Sequence, residues 1–203
     1  MLTLSPMNTP ITTLLTPHQQ TLQGHAERIA AQYTGSSAAA YKAAAETLRF
    51  PFWDWAVSSV LPPITIEPTV QITSPTGPLT LRNPLYSYEF QNFPFTDPDF
   101  QGHELSQFNE TKRCVDNKED SDGVNHFDIC NEILGAQGQR LREQVYATFT
   151  RSSRFADMAS TQSTGPSFES PHNTVHDYIA GGPIPSKTGH MGPVTWSGFD
   201  PIL

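Results

Sequence analysis

The chain has 203 residues, with 12 Lys and Arg against 20 Asp and Glu, a formal charge of −8. That length supports one domain with a sizeable core. The acidic balance excludes a protein built to grip nucleic acid or an anionic membrane surface. Charged residues make up only 16% and prolines number 18, so long ordered loops between helices are expected.

No apolar run approaches the roughly 20 residues of a membrane helix. Met1–Pro17 lacks Lys and Arg and is broken by Pro6, Pro10 and Pro17, which is unlike a secretory signal. The default compartment is therefore cytoplasmic. Two cysteines, Cys114 and Cys130, leave two readings open, a pair of free thiols or one bridge.

Residues 1–16 are rich in Thr and Pro without periodicity and read as a disordered leader. Leu22, Ala26, Ile29 and Tyr33 then recur at helical spacing, with Pro17 in the first turn and Gly35 as the stop. A second helix is predicted over about 37–48, its buried stripe Tyr41, Ala44, Ala45 and Leu48. Phe50 to Trp55 reads as a buried aromatic turn, with Phe52, Trp53 and Trp55 in the core and Asp54 hydrogen-bonded. Residues 57–130 are punctuated by prolines, with short extended pieces at 69–73 and 78–81, and 110–128 reads as a solvated excursion. A third helix is predicted over about 129–150, with Leu134, Leu141, Val145 and Phe149 on one stripe. A Ser/Thr/Gly loop over 151–166 leads to a short last helix and a Gly/Pro-rich tail.

That last helix carries the chemistry. Ser170 is suited to its N-cap and Pro171 to its first turn. His172 and His176 then lie one turn apart on the same side, where two imidazoles can hold one metal ion. Imidazole suits zinc and copper alike, so spacing alone does not choose between them. A zinc protease is disfavoured, because Asn173 stands where its general-base Glu would be.

His172-Asn173-Thr174-Val175-His176, followed by Gly181-Gly182, Gly189-His190-Met191 and Ser197 to Ile202, resembles the second copper site of fungal tyrosinases. Arg49 to Ala56 resembles the stretch shortly after that family's first copper site, and Asn83 to Tyr88 fits the loop region between the sites. The resemblance implies a mainly α protein with an incomplete tyrosinase-like four-helix core, long irregular loops and a few short strands. It implies a type-3 copper oxidoreductase, with two ions in the complete site, acting on phenolic small molecules and dioxygen. Monophenols would be hydroxylated and catechols oxidised to quinones, as in melanin formation.

By resemblance, His172 and His176 are the first two ligands of the second copper, and Glu169 and Asn173 hold a water that deprotonates the phenol. His18 and His25 match no ligand position. His190 is assigned a structural or surface role, and His103 and His126 a place in solvent. Residues 17–203 are thus expected to form a partial copper-binding domain, its first site absent and its second truncated, with two of six ligands present. Two alternatives follow: a tyrosinase-like chain inactive as given, or a non-catalytic truncated relative binding one metal weakly or none. A related oxygen carrier is a third and weaker reading. Exposed apolar faces are expected to make the product marginally stable and prone to self-association.

Overall fold

A computed structural model describes residues 9–49, 51–118, 120–162 and 165–202. It is mainly helical with a few two-stranded pieces, and the chain falls into two compact units. The first comprises residues 1–52 and 71–81, the second 53–70 and 82–203.

In the first unit, helix α1 (Thr9–Ala30) is followed by α2 (Ala38–Glu46). Ala30 and Ala45 are buried, and Tyr33 stacks on Tyr41 at 3.7 Å between ring centres. The Gln19 amide donates to the Leu48 carbonyl at 2.9 Å, fixing the end of α2. Residues 71–81 of this unit hold most of a hairpin formed by strands β1 (Thr69–Ser74) and β2 (Gly77–Arg82), and the Tyr33 hydroxyl donates to the carbonyl of Thr73.

The second unit is organised by two helices, α3 (Phe127–Arg151) and α5 (Glu169–Ala180), with the short α4 (Phe155–Ala159) between them. On α3 the buried positions are Cys130, Leu134, Gly138, Leu141 and Thr148, a helical stripe. On α5 they are Pro171, Val175, Ile179 and Ala180. The helices run antiparallel: Cys130 Sγ lies 3.9 Å from the Tyr178 and Ile179 carbonyls, and Gln144 Nε2 lies 3.5 Å from Ser170 Oγ. Leu61 and Met191 complete this core, and Trp53 and Trp55 pack against it. A second cluster gathers Phe90, Leu105, Phe108 and Val115 around Trp196 of the short helix α6 (Val194–Ser197).

The tail is tied back beside α5. Strand β3 (Val115–Asp116) pairs antiparallel with β4 (Lys187–Thr188), and Lys187 Nζ meets Asp116 Oδ1 at 2.5 Å. The pairing extends one step further: His190 N donates to the Lys112 carbonyl, and Lys112 N donates to His190 Nδ1, both at 2.8 Å. Gly189 makes this approach feasible. A Cβ there would stand 2.9 Å from the Lys112 carbonyl oxygen and 3.0 Å from backbone atoms of Ala180 and Cys114.

Several expectations require correction. Helix α1 starts at Thr9, so Pro17 lies inside it and removes one helical hydrogen bond instead of opening the first turn. The leader expected over 1–16 lies outside the described residues as far as residue 8. Phe50 of the aromatic turn also lies outside them, and Phe52 is 88% exposed, not buried. Asp54 does act as a hydrogen-bonding residue, its Oδ1 accepting from Val57 N at 3.1 Å. On α2, Ala44 faces solvent, and Phe149 at the end of α3 is 67% exposed.

The stretch 110–128 is no solvated excursion, because Thr111, Arg113, Cys114 and Val115 are buried. The Arg113 guanidinium is neutralised by Asp200, with Nε to Oδ2 at 2.9 Å and Nη2 to Oδ1 at 2.5 Å, and it donates to the Thr65 and Leu85 carbonyls. A charge matched by so many acceptors can be buried, and hydropathy alone cannot see that match. His103 is half-buried, its Nδ1 accepting from Leu105 N at 3.1 Å, and His126 is half-buried at the start of α3. Both cysteines are free and buried, and burial pushes the Cys114 thiol up to about 11 and the Cys130 thiol up as well. No helix among the described residues is long and apolar enough to cross a membrane.

Candidate metal centre

Helix α5 builds the site by a rotation of one residue. Pro171 and Val175 face the core, and His172 and His176 follow each of them, about 100° round the helix. His172 is exposed and His176 half-buried. Their Nε2 atoms stand 3.0 Å apart and the ring centres 4.4 Å apart. The sequence-predicted pair is therefore brought together with both nitrogens converging on one point.

The second ring nitrogens determine what that point can accept. His176 Nδ1 lies 2.9 Å from the Met191 carbonyl oxygen, which only accepts, so Nδ1 carries the proton and Nε2 presents a lone pair. The same arrangement orients metal-binding imidazoles in general. With His176 Nε2 an acceptor, the contact between the rings is a hydrogen bond donated by His172 Nε2. His172 Nδ1 has Asn173 Oδ1 at 3.3 Å, an acceptor that suits the Nδ1–H tautomer, in which Nε2 is free to bind a metal. Although the residue as a whole is exposed, partial desolvation of its ring, reinforced by the neighbouring His176, lowers the His172 pKa from its ordinary value and favours the neutral, ligating form.

This geometry fits a metal ion. His172 Nε2 and His176 Nε2, one helical turn apart and 3.0 Å from each other, are the atoms that would hold it, and imidazole donors suit copper and zinc alike. Among the described residues no third His, Cys, Asp or Glu joins the pair. His190 is close in sequence but not available. It is fully buried, Nδ1 is taken by Lys112 N, and Phe90 and Trp196 lie against its ring at 5.6 and 5.2 Å between centres.

Glu169 and Asn173 are four residues apart and share one side of α5. Glu169 Oε2 accepts from Thr161 N at 2.6 Å and Thr161 Oγ1 at 3.0 Å. These bonds, the backbone one foremost, lower the Glu169 pKa and keep it ionised. Sequence reasoning missed two supporting groups. The Met191 carbonyl could have been suspected from the segment containing His190, whereas nothing in the Thr161 loop signals its role.

The family model described as the common central domain of tyrosinase matches residues 16–203. Polyphenol oxidase 3 of Agaricus bisporus is 30% identical over 201 residues, covering 91% of this chain and 33% of that protein. The tyrosinase of Podospora anserina is 28% identical, again with 91% and 33% covered. Among solved structures, latent and active mushroom tyrosinase aligns with a TM-score of 0.76 at 27% identity, covering 93% of this chain and 48% of that one. The chain thus spans about a third of the length of the curated relatives it matches.

Proposed function

Because the chain belongs to the tyrosinase family, we propose that α5 supplies part of a copper centre for the oxidation of phenols by dioxygen, with His172 and His176 as metal ligands. The observation that carries this is the convergence of the two Nε2 atoms at 3.0 Å, with the His176 tautomer fixed by the Met191 carbonyl. Copper, when bound, supplies the oxygen chemistry that hydroxylates monophenols and oxidises catechols to quinones.

The rest belongs to the protein. Lys112, Gly189 and the β3–β4 pairing hold the 189–191 segment against α5, so the Met191 carbonyl stays aimed at His176. His172 is exposed, and its contact with Asn173 lets its ring adopt the ligating tautomer. Glu169 and Asn173 hold a water beside the pair, to which an incoming phenol passes its proton. Thr161 keeps Glu169 ionised, so the carboxylate polarises that water and the proton goes on to solvent.

Two imidazoles leave most of a coordination sphere to water, so the chain by itself binds copper loosely and oxidises catechols slowly. A second reading is a non-catalytic relative holding at most one metal weakly. Electron paramagnetic resonance on the chain with one equivalent of copper(II), in parallel with quinone formation from a catechol, tests both. Nitrogen splittings lost in His172→Ala and His176→Ala, with slow turnover that falls further in Glu169→Gln, support the first reading. An unchanged copper spectrum in both His variants refutes the assignment of the pair.

A further inference from the structure

The second unit holds an aromatic cavity that the copper reading does not use. Tyr88, Phe90, Phe95, Phe100 and Phe199 line a hollow of about 210 Å³, with the exposed Asp97 beside them. We propose that it binds a small, free quaternary ammonium compound, held by the ring faces and the Asp97 carboxylate. Tyr88 and Phe199 lie nearly parallel with 5.7 Å between ring centres, and Phe95 and Phe100 do so at 5.8 Å. Phe90 crosses Tyr88, Phe95 and Phe199 at 83°, 74° and 71°. The walls therefore have two orientations, and π faces can meet a cation from more than one side. Pockets that enclose drug-sized molecules run to roughly 300–1,000 Å³, so the occupant here is smaller.

Charge selects the class of ligand. Among the described residues, none that lines the hollow is Lys or Arg. With Asp97 beside the rings and a formal charge of −8 on the chain, the local potential favours a cation. The same sign disfavours a lipid head group, whose phosphate would accompany the ammonium. The walls are also held in place. Buried Trp196 underlies Phe90, Phe95 and Phe100 at 5.7, 5.1 and 4.9 Å between ring centres. The Gln101 amide donates to the Phe95 carbonyl, the Ser106 hydroxyl to the Phe100 carbonyl, and Phe90 N to the Asn109 carbonyl. Asp97 Oδ1 accepts from Asp99 N at 3.0 Å, which orients its carboxylate. Little ordering cost then remains for binding.

The test is calorimetric titration of the full chain with choline and with neohexanol, the uncharged isostere of choline, while aromatic proton NMR locates the site. The expected result is that choline binds and shifts the ring resonances of Tyr88 and Phe199, and that neohexanol binds about tenfold more weakly or worse. Asp97→Asn keeps an acceptor for Asp99 N and removes only the charge. It should weaken choline several-fold and leave neohexanol unchanged. Phe199→Leu, which alters a ring 38% exposed, should weaken choline as well, with circular dichroism confirming that both variants retain their helices. Equal affinity for choline and neohexanol overturns the proposal, because the hollow is then a plain apolar pocket. So does the absence of choline binding, or a choline response confined to other rings. Retention on phosphatidylcholine vesicles without binding of free choline overturns it too, because the ligand is then a membrane.

Discussion

His190 gives the second unit a specific sensitivity to acid. Its ring is fully buried, and Lys112 N donates into Nδ1 at 2.8 Å, a contact that requires the neutral form. Burial, with the Lys112 charge next among the lowering influences, pushes its pKa from 6.5 down to about 3. In the unfolded chain the same imidazole protonates near its ordinary value. Between the two values the unfolded state therefore binds the extra proton, so stability is full above pH 6.5 and falls as the pH drops towards 3. From pH 7 to pH 5 the loss is about 1.36 kcal/mol for each of the 1.5 units below 6.5, roughly 2 kcal/mol. His190→Asn keeps an acceptor for Lys112 N and removes the titration. It costs about 1–3 kcal/mol at pH 7 through the smaller side chain, and its loss between pH 7 and 5 should shrink by about 2 kcal/mol. Urea unfolding followed by tryptophan fluorescence measures this directly, because Trp53, Trp55 and Trp196 all lie in the second unit. If the variant loses as much stability on acidification as the parent, the burial argument is wrong.

Other perturbations have defined outcomes in the same assay. Arg113→Met strands Asp200 and the Thr65 and Leu85 carbonyls and should cost about 3–5 kcal/mol, whereas Arg113→Met/Asp200→Leu should recover much of that. Gly189→Ala forces a methyl to within about 3 Å of three backbone atoms, and it should destabilise by about 1–3 kcal/mol and weaken copper binding by displacing the Met191 carbonyl. Leu141→Ala, at a fully buried position on α3, should cost about 2–5 kcal/mol while leaving metal binding intact. Thr161→Ala removes only the hydroxyl donor to Glu169; it should raise the Glu169 pKa slightly, read by carboxyl carbon NMR, without unfolding the protein.

The local parts of this fold were legible because local rules decide them. Periodicity located α2 and α3, cap residues located α5 to within a residue or two although its N-cap is Phe168 and not Ser170, and helical spacing alone put His172 beside His176. The family resemblance then gave that pair a meaning its spacing could not. What stayed hidden depends on partners distant in sequence. Arg113 is read as surface until Asp200, 87 residues away, is found beside it. Phe149 continues the α3 stripe in sequence, yet it is 67% exposed because, among the described residues, only Phe168 packs edge-to-face on its ring. The groups that orient the site, Met191 and Thr161, act through backbone atoms, which carry no side-chain signature.

The central claim is that one metal ion sits between His172 Nε2 and His176 Nε2. Long-range proton–nitrogen NMR of the imidazoles, recorded during a zinc(II) titration, tests it most directly among the seven histidines. The account predicts that before zinc the His176 ring is protonated at Nδ1, and that on titration the Nε2 resonances of residues 172 and 176 move together while the His190 ring stays unchanged. Zinc-induced shifts at other histidines with these two unmoved, or a His176 ring protonated at Nε2, would contradict it.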